Sequence, residues 1–225
     1  MFHKHLTPII IMIGLFTIFQ SGCGQDSTPD PSIVWADDFE DGDTAGWQDH
    51  TMNTGDTYSM NEGFLSFGYG GGDIRRASTV TTGTWSADIF IPEKGGFTNA
   101  IFFLASKLED SGEGYHPEDW VATWVQIENQ PYTEIQLAQW VLGEYTLLDS
   151  KDIGDRERLT GWHHLDITRD ENGKTSVYCD GKKYLEGKVD FPYGSDYFLT
   201  SACCEGPALD NVIVRNQVMD IDSSD

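Results

Sequence analysis

The run Trp162-His163-His164-Leu165-Asp166-Ile167-Thr168-Arg169 decides the fold, together with Thr175-Ser176-Val177-Tyr178-Cys179 and, across Asp180-Gly181, Lys182-Lys183-Tyr184-Leu185-Glu186-Gly187-Lys188. Each piece is five to eight residues long, and none keeps the 3.6-residue apolar period of a helix. Asp-Gly between two such runs predicts a two-residue hairpin turn, because both central positions of that turn need positive φ. Period-two alternation puts His163 and His164 on opposite faces of one strand, where both read as core or edge residues. Outward from this point, the spacing predicts strands over 33–39, 58–61, 64–67, 77–80, 84–91, 99–105, 121–128, 133–140, 145–149, 197–202 and 210–215. Gly, Asp, Asn and Pro fill the gaps, and Gly70-Gly71-Gly72-Asp73 reads as a flexible turn. It is no phosphate loop, because no Lys-Ser/Thr follows and no helix begins there. The expectation is an all-β, antiparallel β-sandwich or jelly roll.

Three motifs spread along the chain sharpen that expectation. Asp37-Asp38-Phe39-Glu40-Asp41-Gly42-Asp43 with Gly46-Trp47 opens it, Gly161-Trp162-His163-His164-Leu165-Asp166-Ile167 leads to Tyr178-Cys179-Asp180-Gly181-Lys182, and Leu209-Asp210-Asn211-Val212-Ile213-Val214 closes it. In this order they resemble the concanavalin A-like lectin/glucanase superfamily, in its LamG-like β-sandwich form. The resemblance implies a structural calcium between the first strand region and an aspartate near the last strand. The matching positions are Asp38 or Glu40 with Asp43, and Asp210. Calcium takes six to eight oxygens, which such an acidic loop can supply.

Between Trp120 and Trp140 the alternation is chemically informative. Val121, Val125 and Ile127 fall on one face, with Trp120, Ala122, Trp124, Gln126 and Glu128 on the other. In the second run Ile135 and Leu137 oppose Glu134, Gln136, Ala138 and Trp140. With 129–132 as the connecting loop, one register sets Glu128 against Glu134, Gln126 against Gln136 and Trp124 against Ala138. One sheet face then carries two indoles, two amides and two carboxylates, with Tyr115, His116 and Tyr132 at its edge. Indoles receive the apolar C–H faces of a pyranose, while amides and carboxylates receive its hydroxyls. The ligand-binding candidates are therefore Trp124, Gln126, Gln136 and Trp140, and the expected partner is a polysaccharide or glycan.

Catalysis on that face would fall to Glu128 and Glu134, the one carboxylate pair the register brings together, as in a glycoside hydrolase. The Glu-x-Asp-x-x-Glu run of glucanases with this fold is missing. A polysaccharide lyase would instead use Tyr132, His116 or Tyr115 as base, with Gln126 and Arg75 or Arg76 against a uronate. The other alternative is a non-catalytic adhesion or structural module in which the tryptophans are simply buried.

The amino terminus reads as an export signal over residues 1–22: a charge at Lys4, then Leu6 to Phe19 almost without polar side chains, too short to span a bilayer. Gln20-Ser21-Gly22-Cys23 resembles a bacterial lipobox with lipidation at Cys23, although Gln20 stands where an aliphatic residue is usual. Residues 23–32 form a solvated tether, 33–219 the sandwich and 220–225 an acidic tail. The expected location is the cell membrane or outer membrane through the lipid alone, with simple secretion as the alternative, and the expected state a monomer. Thirty-seven acidic against fourteen basic residues give a net charge of −23, which argues against nucleic acid as a partner. Cys179, Cys203 and Cys204 allow at most one disulfide, either the vicinal pair or one of its members with Cys179. No cysteine has the paired spacing of a zinc site or a nearby histidine partner.

Overall fold

The computed structural model describes residues 30–49, 58–68, 72–92, 98–107, 120–129, 133–154, 160–202 and 206–221. The expected signal segment, Cys23, Tyr115, His116, Tyr132, Cys203 and Cys204 lie outside them. The described residues form fifteen strands: β1 (Ile33–Asp37), β2 (Trp47–Asp49), β3 (Tyr58–Asn61), β4 (Phe64–Phe67), β5 (Gly72–Ala77), β6 (Gly83–Ile91), β7 (Thr98–Lys107) and β8 (Trp120–Asn129), followed by seven more. These are β9 (Thr133–Val141), β10 (Glu144–Gly154), β11 (Gly161–Arg169), β12 (Lys174–Cys179), β13 (Lys182–Lys188), β14 (Tyr197–Ala202) and β15 (Ala208–Arg215).

They pair antiparallel in two sheets. The first has the order β13-β12-β11-β6-β15-β4-β3, with β1 also on β15, and the second β10-β9-β8-β7-β14-β5-β2. Facing side chains from both sheets make one core, in which Trp85 and Phe103 meet at 5.1 Å between ring centroids. Phe39, Phe67, Phe198, Leu65 and Ile135 are likewise almost inaccessible. Each such side chain contributes about 1.5–3 kcal/mol by leaving water.

The turns follow from local chemistry. Glu62-Gly63, Leu142-Gly143 and Asp180-Gly181 all take positive φ at both positions, the mirror-image turn whose twist matches the flanking strands. Between β11 and β12 the Asp170 carboxylate accepts the Asn172 and Lys174 amides, each at 2.9 Å. Gly173 there has φ +81°, and a Cβ on it would stand 2.4 Å from the Val189 carbonyl. In β7 the register slips between Phe102 and Leu104. This bulge turns Phe103 and Leu104 both inward and leaves Phe102 and Ala105 facing out.

Two expectations about strands change. The expected strand 77–80 is not formed beyond Ala77, which ends the strand Gly72–Ala77 that pairs with β14 and with β2. Ser78 and Val80 do alternate inward, but the Ser78 amide bonds the Asp196 carbonyl instead of a ladder neighbour. Burial without pairing imitates a strand in the sequence. Gly72 and Asp73, read as part of a turn, open β5 opposite Ala202 and Ser201.

The opening motif is a packing device. Asp37 Oδ2 accepts from the Trp47 indole at 2.8 Å and from Arg76 Nη1 at 2.7 Å, while its Oδ1 accepts the Phe39 amide at 3.1 Å. The Arg76 guanidinium lies 4.7 Å over the Trp35 ring, and Trp35 and Trp47 both meet Phe198 edge-on. One carboxylate thus ties β1, β2 and β5 together. Arg76 is committed here and is not placed to neutralise a bound uronate.

Candidate functional site

The β8–β9 hairpin has the expected register: Glu128 opposite Glu134, Gln126 opposite Gln136 and Trp124 opposite Ala138. Because Val121, Val125, Ile127, Ile135 and Leu137 point into the core, the alternate positions face outward from the second sheet. There they join a second apolar cluster, separate from the core, of Ala100, Ala105, Ala122, Trp124 and Ala138 flanked by Phe102, Trp140 and Tyr197.

Trp124 is not a bare platform. It is 7% exposed, packed 5.3 Å from Phe102 and 5.9 Å from Tyr145, and its indole N–H donates to Gln126 Oε1 at 3.2 Å. Trp124 is the floor of the face. Trp140 is half-buried, with its indole N–H turned inward and unpaired, and Tyr145 beside it is 51% exposed. Gln136 Nε2 donates to Glu134 Oε2 at 3.2 Å. Gln126 and Gln136 are both half-buried, and Asp152 continues the row that begins with Glu128 and Glu134. Arg75 closes the other end, its guanidinium 4.4 Å over the Tyr197 ring.

Phe102, Tyr145 and Tyr197 were not among the sequence candidates. Tyr145 continues the alternation of β9 across Leu142-Gly143 and was legible in principle. Phe102 and Tyr197 come from β7, which pairs with β8, and β14, which pairs with β7, and this pairing is not carried by local patterns.

The calcium candidates divide. Asp43 Oδ1 accepts the Ala45 amide at 2.7 Å and Asp41 Oδ1 accepts the Asp43 amide at 3.1 Å, so both serve the turn into β2. Glu40 lies over the β3–β4 turn, its carboxylate close against Gly63. Asp210 does feel the acidic loop: burial first, then Asp88, Glu40 and Asp38, raise its pKa. The Asn211 amide nitrogen donates to Asp88 at 2.9 Å and to Asp210 at 3.2 Å. Like charges crowded around Asp210 suit a hard cation, so Asp38, Glu40 and Asp210 fit in chemistry, whereas Asp43 Oδ1 and both oxygens of Asp88 are already hydrogen-bonded. Among the described residues, Glu40, Asp43 and Asp210 do not come within chelating reach of one another.

Two features on the first sheet were not singled out as sites. On its outer side Trp162, 43% exposed, is held edge-on by Phe64 and Phe90, each at 5.5 Å. Next to it His164 sits between Asp88, at 2.5 Å, and Asp166, at 3.3 Å. The hydrogen bond that His164 donates to Asp166, then the one to Asp88, raises its pKa to about 9 against the cost of burial. His163 faces the other way, its Nδ1 2.8 Å from Asp180 Oδ2, so the two histidines do occupy opposite faces. Cys179 is a buried free thiol, which removes the disulfide alternatives that use it.

This arrangement, two antiparallel sheets with the first and last strands paired and an aromatic outer face on one sheet, is that of a concanavalin A-like sandwich. Solved structures bear the class out. The chain is similar to the carbohydrate-binding module CBM66 from Bacillus subtilis, at TM-score 0.55 and 13% identity over 76% of this chain and 95% of that one. It is similar to a laminarinase from Flavobacterium sp. UMI-01, at TM-score 0.60 and 14% identity over 81% and 99%. The potassium-bound carbohydrate recognition domain of Emp46p aligns at TM-score 0.62 and 12% identity over 84% and 96%. No protein-family model matches the sequence, and no curated protein sequence matches it. At these identities the likeness establishes the fold.

Proposed function

We propose that this protein binds a polysaccharide or glycan on the outer face of its second sheet, as an exported protein held to a membrane through lipidated Cys23. The observation that carries the reading is the composition of that face. Trp140, Tyr145 and Trp124 form an aromatic strip, beside which Gln126 and Gln136 sit directly opposite each other with amides at a half-buried surface. Half-buried glutamines contribute little to packing, and each here is oriented by a neighbour, Gln126 by the Trp124 indole and Gln136 by Glu134, whereas a sugar ring uses both the apolar and the amide parts of such a surface. Structures of like fold include a carbohydrate-binding module and a carbohydrate recognition domain, which agrees with this reading.

Calcium belongs to the same reading as a structural ion, with Asp210, Glu40 and Asp38 as the residues that would hold it. Bound there, it would neutralise the carboxylates around Asn211 and fix the acidic loop against β15. It has no part in contacting the glycan.

A second reading, polysaccharide breakdown on the same face, rests on the Glu128–Glu134 register and the laminarinase likeness. A glycan array and polysaccharide-depletion screen on the full-length protein, with product analysis of every polymer bound, decides between them. Binding with intact polymer is the expected result. Shortened or unsaturated products that disappear in Glu134→Gln would make the protein an enzyme, and a blank across neutral and acidic glycans would leave an adhesion module.

A further inference from the structure

The rim of the sandwich at the β12–β13 turn holds a cluster unconnected with the glycan face. Antiparallel pairing sets Leu165 against Cys179, which brings Cys179 diagonally next to His163 on the inward side. Asp180, in the first position of the turn, is fixed from two directions: its amide donates to the His164 carbonyl at 2.8 Å, and its Oδ1 accepts the His164 amide at 2.9 Å. Its second oxygen, Oδ2, meets His163 Nδ1 at 2.8 Å. One ligating atom from each of His163, Cys179 and Asp180 lies within 4.8 Å of the others, and this is the one such group among the described residues.

We propose that His163, Cys179 and Asp180 bind a borderline-soft divalent metal ion of the zinc or cobalt class. A thiolate, an imidazole and a carboxylate are the donor set of such ions, and the sulfur and nitrogen discriminate against calcium and magnesium. The imidazole is under-used: its side chain is 11% exposed, Nδ1 already meets Asp180, and Nε2 is buried without a hydrogen-bond partner. A buried ring nitrogen with no partner carries a cost that an ion ligated at that nitrogen would remove. Asp180, 56% exposed, gives the ion a path from solvent. Three protein donors leave a position for water or another ligand.

The thiol is protonated without metal, because burial and then the Asp180 charge push its pKa up to about 12. Binding therefore breaks the Cys179 S–H bond, forms a sulfur–metal bond and releases the proton to solvent, so affinity rises with pH. This explains why a cysteine with no metal-type spacing in the sequence is a candidate ligand: the hairpin supplies the proximity.

The test is a cobalt(II) titration of the reduced full-length protein, read by thiolate-to-cobalt charge-transfer absorption. The expected result is one ion per chain with a saturable band. The band is lost in Cys179→Ser, kept in the double variant Cys203→Ser/Cys204→Ser, and reached at no less than about tenfold higher cobalt in His163→Gln. Melting curves without metal establish that each variant is folded. Absence of the band in the unmodified protein overturns the proposal, as does a band that survives Cys179→Ser or disappears with Cys203 and Cys204. Should Cys179→Ser not fold, unchanged cobalt affinity in His163→Gln overturns it equally.

Discussion

His164 shows how one side chain can make stability depend on pH. Its imidazole bridges Asp166 and Asp88, so its pKa rises from 6.5 to about 9 in the folded protein. The pairing therefore contributes stability fully below about pH 6.5 and loses it as pH rises through about 9. Side-chain exposure of 46% screens the pair and keeps the effect modest. Melting temperatures measured under chelation should fall from pH 6.5 to 9, and His164→Gln should be less stable at pH 6 and flatter across that window. Parallel profiles for the two proteins would contradict this. Asp37 is the opposite case, a nearly buried acceptor of one indole N–H and one guanidinium. Asp37→Ala strands both and should cost on the order of 2–4 kcal/mol in chemical denaturation.

At the scale of elements, the turns are the most constrained positions. Gly173→Ala forces a Cβ into the Val189 carbonyl at a positive φ and should cost roughly 2 kcal/mol or more. A denaturation midpoint equal to that of the unmodified protein would show that the turn relaxes freely. The β8–β9 hairpin was readable down to its register because alternation on both strands and the loop length between them agree. Asp180-Gly181 was readable because few dipeptides accept its φ angles. β2 was not, since Trp47-Gln48-Asp49 has no strand pattern of its own and its pairing with β5 goes with a long-range contact, the Trp47 indole on Asp37. The aromatic strip was half legible: Trp124 and Trp140 lie on the predicted face and Tyr145 follows across the Leu142-Gly143 hairpin, but Phe102, which also buries Trp124, sits on β7, whose register beside β8 is set by tertiary pairing. Cys179 and His163 meet for the same reason, sixteen positions apart in sequence and one strand apart in space.

Across the whole molecule, a net charge of −23 must be held in one compact sandwich, and its acids crowd where the first and last strands meet. An ion bound there stabilises the folded state by mass action. Millimolar calcium should therefore raise the melting temperature over a calcium-selective chelator, beyond the effect of equal ionic strength, and no difference would refute the calcium site. The glycan face belongs to the same scale, since six strands, from β10 across to β5, contribute to it. Trp124→Ala would confuse binding with folding, because removing a buried tryptophan costs about 3–5 kcal/mol. Gln136 and Trp140, half-buried at the surface, give the cleaner comparison. The most direct test is a binding isotherm for a polymer retained in the screen, measured on the unmodified protein, Trp140→Ala, Gln136→Ala and, from the opposite sheet, Trp162→Ala. The account predicts at least about tenfold weaker binding for Trp140→Ala and Gln136→Ala and unchanged binding for Trp162→Ala. Full affinity in the first two, or its loss in Trp162→Ala alone, would contradict it.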